Sequence, residues 1–560
     1  MKRISLNKLY VRIPALLLAF AMLAALCGCG EDETLKEREQ LIEELYGSVE
    51  LAGTSDAIST DATTSNFVLP YTRGDTFNPY MCESTLNATI TDLLYDQLIT
   101  VNSEFEADMV MAASVEHTNS HMFTLILRDG IVFSDGSELT GRDIKYSLEC
   151  AKADGSRYQK QLRNIAGCMT QDNTVYFRLE EPDPRAYLLL DFPIVKYNTA
   201  GGTGVPIGSG RYYYVSDPEK GTFLLRNSLW YSNNYSDVSR ISLVSMPTIE
   251  SIVHSIEIGT VSYYFTDLRD GYPSRINANY ATVDINNLVF VGVNTAEPGL
   301  NSFGVRDAID QAINREEIIT NAYAGRAYAA TGPLTNSWAE AAAAQTGSTL
   351  SDATAAAKTL HDAGFVNIDQ QYIRSNNNGE RLQFNILVNT ENSQHIAVAE
   401  RISEQLALVG ISASVQQLPY ADYRAAIASG NYTLYIGEYS LYNNMDFSDL
   451  YTPNRGMYFG LTPQTTINAC TAYREGTGTI ADFIEAFDTE LPFIPVCYRL
   501  GMVCYSRSLS ANMDVTESDL FRDMYLWDVA LADSPNTDVT GNAAGEAEGE
   551  TTGTTETTAS

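Results

Sequence analysis

The residues able to do chemistry are few, and the most specific group lies near the start of the chain. Leu26-Cys27-Gly28-Cys29 follows a basic stretch (Lys2, Arg3, Lys8 and Arg12) and the apolar run Ile13–Leu26. That run is too short to span a bilayer comfortably and has the length of a signal-peptide core. A small residue, Gly28, directly before a cysteine resembles a bacterial lipobox. The spacing predicts removal of a signal peptide at 1–28 and acylation of the Cys29 thiol. Cleavage before Cys27 would instead place Leu26 where a small residue is needed. Several acyl chains on one residue hold a protein stably to a membrane, so the expected location is the cell membrane, lipid-anchored on its extracytoplasmic face.

The other reactive side chains form no catalytic pattern. Cys82, Cys150, Cys168, Cys470, Cys497 and Cys504 contain no C-x-x-C pair. An extracytoplasmic setting permits disulfides, but spacing does not give connectivity, and buried free thiols are the alternative. The histidines (His117, His121, His254, His361 and His395) are scattered. His117 and His121 stand four apart, but around an expected turn, so no metal site is predicted. There is no Gly-Lys of a P-loop, no H-E-x-x-H, no G-x-S-x-G, and no G-x-G-x-x-G after a strand. The reading is a protein with no catalytic residue, no metal and no cofactor. A net charge of −34 argues against nucleic acid, which needs a basic footprint, and mildly favours cationic solutes. The 34 tyrosines, against 20 phenylalanines, offer apolar faces with polar tips, which suit a cleft for varied solutes.

These residues must be held by a large body. The 560-residue chain can bury more than one core. Residues 29–65 read as an anchor and solvated spacer, and 534–560, rich in Thr, Gly, Glu and Ala, read as a disordered tail. Between them, short β-like runs alternate with helical ones, the pattern of an α/β protein. Phe67–Pro70 and Phe123–Leu127 predict strands, and Asn87–Thr100 a helix running into a strand. Thr140 predicts the cap of a helix over Gly141–Ala153, with Asp143 at its third position. Phe303–Tyr323 and Ser351–Gly364 predict amphipathic helices. Phe384–Val388, Gln394–Val409 and Ile411–Gln417 predict strand, helix and strand in a parallel crossover.

The run Leu127-Arg-Asp-Gly-Ile-Val-Phe-Ser-Asp-Gly-Ser-Glu-Leu-Thr-Gly-Arg-Asp-Ile-Lys-Tyr-Ser-Leu148 resembles the signature of the family 5 extracellular solute-binding proteins. These are the oligopeptide, dipeptide and nickel receptors of ATP-driven importers. Further matches follow in the family's order: Phe77-Asn-Pro-Tyr80, Leu94-Tyr-Asp-Gln-Leu98, Pro206-Ile-Gly-Ser-Gly210, and Val293-Asn-Thr295 with Val305-Arg-Asp-Ala308 and Ala312-Ile-Asn-Arg-Glu-Glu-Ile318. Ala356-Ala-Lys-Thr-Leu-His-Asp-Ala-Gly364 and Glu404-Gln-Leu-Ala-Leu-Val-Gly-Ile411 complete the set. Most of these residues are turns, caps and core faces, so they identify a scaffold rather than a ligand contact.

The resemblance implies a two-lobed periplasmic-binding-protein-like α/β fold, type II, of the large peptide-binding subclass, with the ligand cleft between lobes. Lobe I is expected at 66–290, including an extra subdomain, lobe II at 291–495, and a return to lobe I at 496–533. Crossings are expected near Leu288–Asn294 and Leu491–Tyr498. The implied partners are a small solute, foremost a peptide, and the transmembrane subunits of an ABC permease, with the protein acting as a monomer. A nickel chelate or another non-peptide solute, or a surface sensor role, are the alternatives. In peptide-binding members a Trp-x-x-Asp-Tyr-type segment supplies an aspartate for the peptide amine. Here Gly437–Asp446 corresponds: Tyr442 fits the tyrosine, Leu441 stands at the aspartate, and Glu438 or Tyr439 stands at the tryptophan. The amine anchor is therefore missing, or moved to Glu438 or Asp446. The expected ligand-facing residues are Glu438, Tyr439, Tyr442 and Asn443, together with Met81, Cys82, Glu83 and Ser84.

Overall fold

Thr140 opens the helix Gly141–Ala151. The Asp143 carboxylate accepts hydrogen bonds from the Thr140 N–H (2.8 Å) and hydroxyl (2.6 Å), and it sits in the first turn, where the helix dipole favours an anion. Such local agreements recur throughout the computed structural model, which describes residues 67–529 apart from 203, 233, 247, 270–275 and 452–456. Cys29, the signal peptide, the spacer and the tail at 534–560 lie outside the described residues.

The body is mixed α/β, with three larger sheets. One four-stranded sheet runs in the order Phe67–Tyr71, Arg240–Ser245, Gly221–Arg226, Tyr212–Asp217. A second, antiparallel sheet orders Ala112–Asn119, Met122–Leu127, Thr174–Leu179 and Ile165–Gln171. The third has eight strands, and its main path is Tyr263–Thr266, Phe493–Tyr505, Asn279–Asn294, Leu434–Ser440, Gln383–Asn389, Ser412–Leu418. The last two strands are parallel, joined by the helix Ser393–Leu408, which is the crossover expected from sequence.

The two expected crossings prove to be partners. Asn279–Asn294 and Phe493–Tyr505 pair antiparallel, with Leu288 opposite Tyr498 and Gly292 opposite Phe493. The second half of Asn279–Asn294 is buried on both faces, which explains its continuous apolar run. Glycine at 292 is a packing requirement, since a Cβ there would stand 1.9 Å from the Tyr435 ring. The register slips between Asp284 and Asn287. Asn286 carries the slip at φ +46°, a left-handed conformation that asparagine tolerates better than branched residues.

One predicted helix is broken. Phe303–Tyr323 forms two, Phe303–Ala312 and Arg315–Tyr323. Asn314 turns its side chain back to accept from the Glu317 N–H (3.2 Å), starting a new helix instead of continuing the old one. The buried Arg315 guanidinium then donates to the Pro495 carbonyl (2.7 and 3.0 Å) and to Asp310 (2.5 Å), fixing the second helix against a central strand. An apolar periodicity does not register such a break, because both helices bury the same side.

Candidate functional site

The segment Met81–Ser84 is pinned by the motif that precedes it. Asn78 accepts from the Tyr80 N–H (3.1 Å) and donates to the Ala200 carbonyl (2.9 Å), and the Tyr80 hydroxyl donates to the Pro193 carbonyl (2.8 Å). The Asp75 carboxylate accepts from the N–H groups of Thr76, Glu83 and Ser84. Ser84 caps the helix Thr85–Leu94 by accepting from the Asn87 N–H (3.2 Å). The Tyr95 hydroxyl donates to the carbonyls of Phe77 (3.0 Å) and Pro206 (3.1 Å), which joins three of the sequence motifs at one point. Gly208 and Gly210 allow that approach: a Cβ on Gly208 would meet the Leu94 carbonyl oxygen at 2.1 Å.

This braced loop forms one wall of a cavity of about 440 Å³. Met81, half exposed, Cys82, buried, and Glu83 line it together with Arg157, Asp267 and Glu517. Arg157 and Glu517 were not found from sequence. Both keep open surface, yet protein surrounds them on nearly every side, as befits groups lining an enclosed space. Arg157 donates from its backbone to the Tyr80 carbonyl (3.1 Å) and from its guanidinium to the Cys82 sulfur (3.5 Å). Burial pushes the Glu517 carboxyl up to about 7, with Asp191, Asp267 and Asp284 adding to the rise and Arg157 opposing it. Asp191, nearby, is raised to about 6 by burial although Gln161 (2.6 Å) and Asn443 (2.7 Å) donate to it.

A second cavity, of about 360 Å³, lies among residues of 92–236 and 519–525. Two of its arginines are closed by internal carboxylates, Arg211 by Asp519 (2.6 Å) and Arg522 by Asp108 (2.6 Å), while Arg128 and Arg226 donate to the backbone carbonyls of Met109 (3.0 Å) and Ser236 (2.8 Å). Asp96 accepts from Ser209 (3.0 Å) and Trp230 (3.3 Å), and burial lifts it to about 7. The 440 Å³ cavity is the better candidate, because it takes in Met81, Cys82 and Glu83 and, although Asp267 pairs with Arg269 (3.1 Å), it leaves Arg157 and Glu517 without an ion pair among the described residues.

Glu438 sits elsewhere, at the centre of the large sheet. Its Oε1 accepts from Arg499 Nε (2.9 Å), Arg499 Nη2 (2.8 Å) and the Asn287 amide, and its Oε2 meets His395 Nε2 at 3.1 Å. The register explains this. Asn287 faces Arg499 and Val289 faces Glu438 across the same strand, and residues two apart share a sheet face. Burial favours the neutral carboxyl, but the His395 and Arg499 contacts outweigh it and hold Glu438 down to about 2.

Tyr439 and Tyr442 are half-buried on the following segment. Leu441 is buried, and its N–H donates to the Asn286 carbonyl (3.0 Å) at the register slip. Asn443 donates to Asp191 (2.7 Å) and Asn444 to Asp183 (2.8 Å). Asp446 pairs with Arg163 (3.4 Å), and Arg474 with Glu181 (3.0 Å). Residues 443–474 are thus tied to 163–191. The structure does not bring all the expected ligand-facing residues together: Met81, Cys82 and Glu83 share the cavity, whereas Glu438 closes an internal ion cluster.

Among the described residues no group of three or more His, Cys, Asp or Glu is arranged to hold a metal ion, and no helix is long and apolar enough to cross a membrane. The six described cysteines are free thiols.

The family model described as bacterial extracellular solute-binding proteins, family 5 Middle, matches residues 107–458, more than half of the chain. The glutathione-binding protein GsiB of Shigella flexneri serotype 5b is 24% identical over 386 residues, covering 63% of this chain and 70% of the relative. NikZ from Campylobacter jejuni, solved in complex with Ni(L-His), superposes with a TM-score of 0.58 at 16% identity, over 83% of this chain and 99% of its own. The oligopeptide-binding protein AppA of Bacillus subtilis, solved with a nonapeptide, gives a TM-score of 0.55 at 17% identity, over 83% and 98%. The fold is the two-lobed α/β architecture of periplasmic binding proteins. On the length of the family match and the architecture it covers, the chain belongs to family 5 of the bacterial extracellular solute-binding proteins, the substrate-binding components of ABC importers.

Proposed function

We propose that this protein is a lipid-anchored receptor that captures a peptide or peptide-like solute and delivers it to an ABC-type permease. The observation that carries this reading is the 440 Å³ cavity. Its size suits a small organic solute, and it is lined from four separate stretches of chain, around residues 80–85, 155–157, 265–269 and 517. The ligands named for the similar proteins, glutathione, a nonapeptide and Ni(L-His), all bear amino-acid chemistry.

In this reading lobe I (66–290 and 496–533) and lobe II (291–495) close about the paired strands Asn279–Asn294 and Phe493–Tyr505. The contacts of Asn443, Asn444, Asp446 and Arg474 with 163–191 are the latch of the closed form. A solute drives closure by its preference for the closed over the open state. Met81–Ser84, Tyr439, Tyr442 and Asn443 face the solute, and Glu438 braces the sheet that carries the tyrosines. Acylated Cys29 holds the receptor at the extracytoplasmic face.

The test is native mass spectrometry of the mature protein offered pooled di- to pentapeptides, glutathione and Ni(L-His) in parallel. Retention of peptides or glutathione is expected, weakened by Tyr442→Ala. Retention of the nickel chelate alone, or of none of the three, would overturn the peptide reading. Release of the protein from membranes after Cys29→Ser checks the anchor.

A further inference from the structure

Resting on that reading and extending it, we infer that the solute is a zwitterion whose anionic end is bound by Arg157 and whose cationic end is bound by Glu517. The argument begins with how this protein treats its other enclosed arginines. Arg499 is closed by Glu438 at 2.8 Å, Arg315 by Asp310 at 2.5 Å and Arg211 by Asp519 at 2.6 Å. Arg306, also buried, is satisfied instead by the carbonyls of Leu300 (2.8 Å), Glu490 (2.7 Å) and Leu491 (3.1 Å), so each of these guanidinium groups finds oxygen acceptors within the protein, as the cost of desolvating a charge requires.

The Arg157–Glu517 couple departs from that pattern. The two side chains line one cavity and influence each other's charge, yet they form no ion pair. Arg157 has the Cys82 sulfur at 3.5 Å and stands 5.8 Å from the centre of the Tyr158 ring, but no carboxylate among the described residues pairs with it. No cation among them pairs with Glu517. Opposite charges held apart across an enclosed space match a molecule that carries both signs at its ends.

The neighbouring acids do not compete for the solute's cationic end on equal terms. Asp191 already accepts from Gln161 and Asn443, Asp284 from Tyr328 (3.1 Å) and Ser337 (2.5 Å), and Asp267 pairs with Arg269 (3.1 Å). They leave Glu517 and Glu83 as the cavity's open acids, and their negative field falls on Glu517, where with Arg157 in the same lining it favours an ammonium group. The two carboxylates that the sequence offered as amine anchors are both occupied: Glu438 by Arg499 and His395, Asp446 by Arg163. At the third position, Leu441 is apolar and buried. The acid open to an amine then lies on the cavity wall, in the C-terminal segment, rather than in the sheet.

The experiment uses the full mature protein and three pools of di- to pentapeptides: free termini, N-acetylated, and C-amidated. Free peptides are expected to be retained, and blocking either end should weaken retention about tenfold or more. Glu517→Gln should abolish discrimination against the N-acetylated pool while keeping discrimination against the amidated one. Arg157→Met should do the reverse. A cooperative melt of each variant shows that it is folded, and Arg157→Lys, which keeps the charge, should restore part of the discrimination. If wild type retains blocked and free pools equally, the end-reading assignment falls and the peptide reading stands. If no pool is retained, both fall.

Discussion

Two arginine–glutamate couples show how the same side chains serve opposite purposes in this molecule. At the centre of the large sheet, Arg499 and Glu438 flank one strand at positions two residues apart, so their side chains share a face and meet at 2.8 Å. His395, from the crossover helix, completes the cluster. On the cavity wall, Arg157 and Glu517 come from a turn and from a C-terminal segment, and nothing brings them into contact. Glu438 is held down to about 2, and Glu517 is pushed up to about 7. A carboxylate whose charge is satisfied internally acts as structure. One that faces an enclosed space with its charge unanswered is available to a guest.

The largest effect should come from opening the closed couple. Arg499→Met leaves Glu438 buried without its cation, and the expected loss is about 3–5 kcal/mol of unfolding free energy, read from urea denaturation. Pairing it with Glu438→Leu should recover part of that loss. A single-variant cost below about 1 kcal/mol would erase the contrast between the two sites.

The open couple should respond in binding rather than in stability. Glu517→Gln is expected to leave the melting temperature near neutral pH almost unchanged, or to raise it above pH 7, because it removes a charge the fold disfavours. A melt lowered as far as that of Arg499→Met would mean Glu517 is structural after all.

The pH profile sharpens the comparison further. A carboxyl whose folded pKa is raised keeps a proton that the unfolded chain releases near pH 4, so its contribution falls as pH rises towards the folded value. Asp191 (about 6), Glu517 and Asp96 (about 7) and Asp92 (about 8) all behave this way, each driven first by burial. Glu438 has the opposite sign: its contribution is present above the ordinary carboxylate range and is lost only as pH falls towards 2. Calorimetry should therefore find stability declining from about pH 5 to 8, and Asp92→Asn should flatten the decline.

The smallest effect belongs to the contacts between 443–474 and 163–191. Asn443→Ala removes one donor from Asp191, with an expected cost of about 1 kcal/mol. If those contacts latch the closed form, the same change lowers solute affinity several-fold; unchanged affinity would detach the latch from binding.

Much of this architecture was legible beforehand because its signals are local. A cap such as Thr140 with Asp143 and the apolar run of the long central strand each declare themselves within a few residues. The break at Asn314 was missed because both helices share one apolar periodicity, while the capping bond that separates them leaves no mark on it. Arg157 and Glu517 were missed for a deeper reason: neither lies in a motif, and their meaning comes from the cavity they share.

By itself the amino-acid order determined the strands, helices, turns and family of this protein, since propensity, capping and close packing act between near neighbours. Which charges are quenched and which stay open was decided only by the tertiary structure. Electrostatic pairing depends on separations of a few ångströms between residues far apart in the chain, and register and loop placement set those separations.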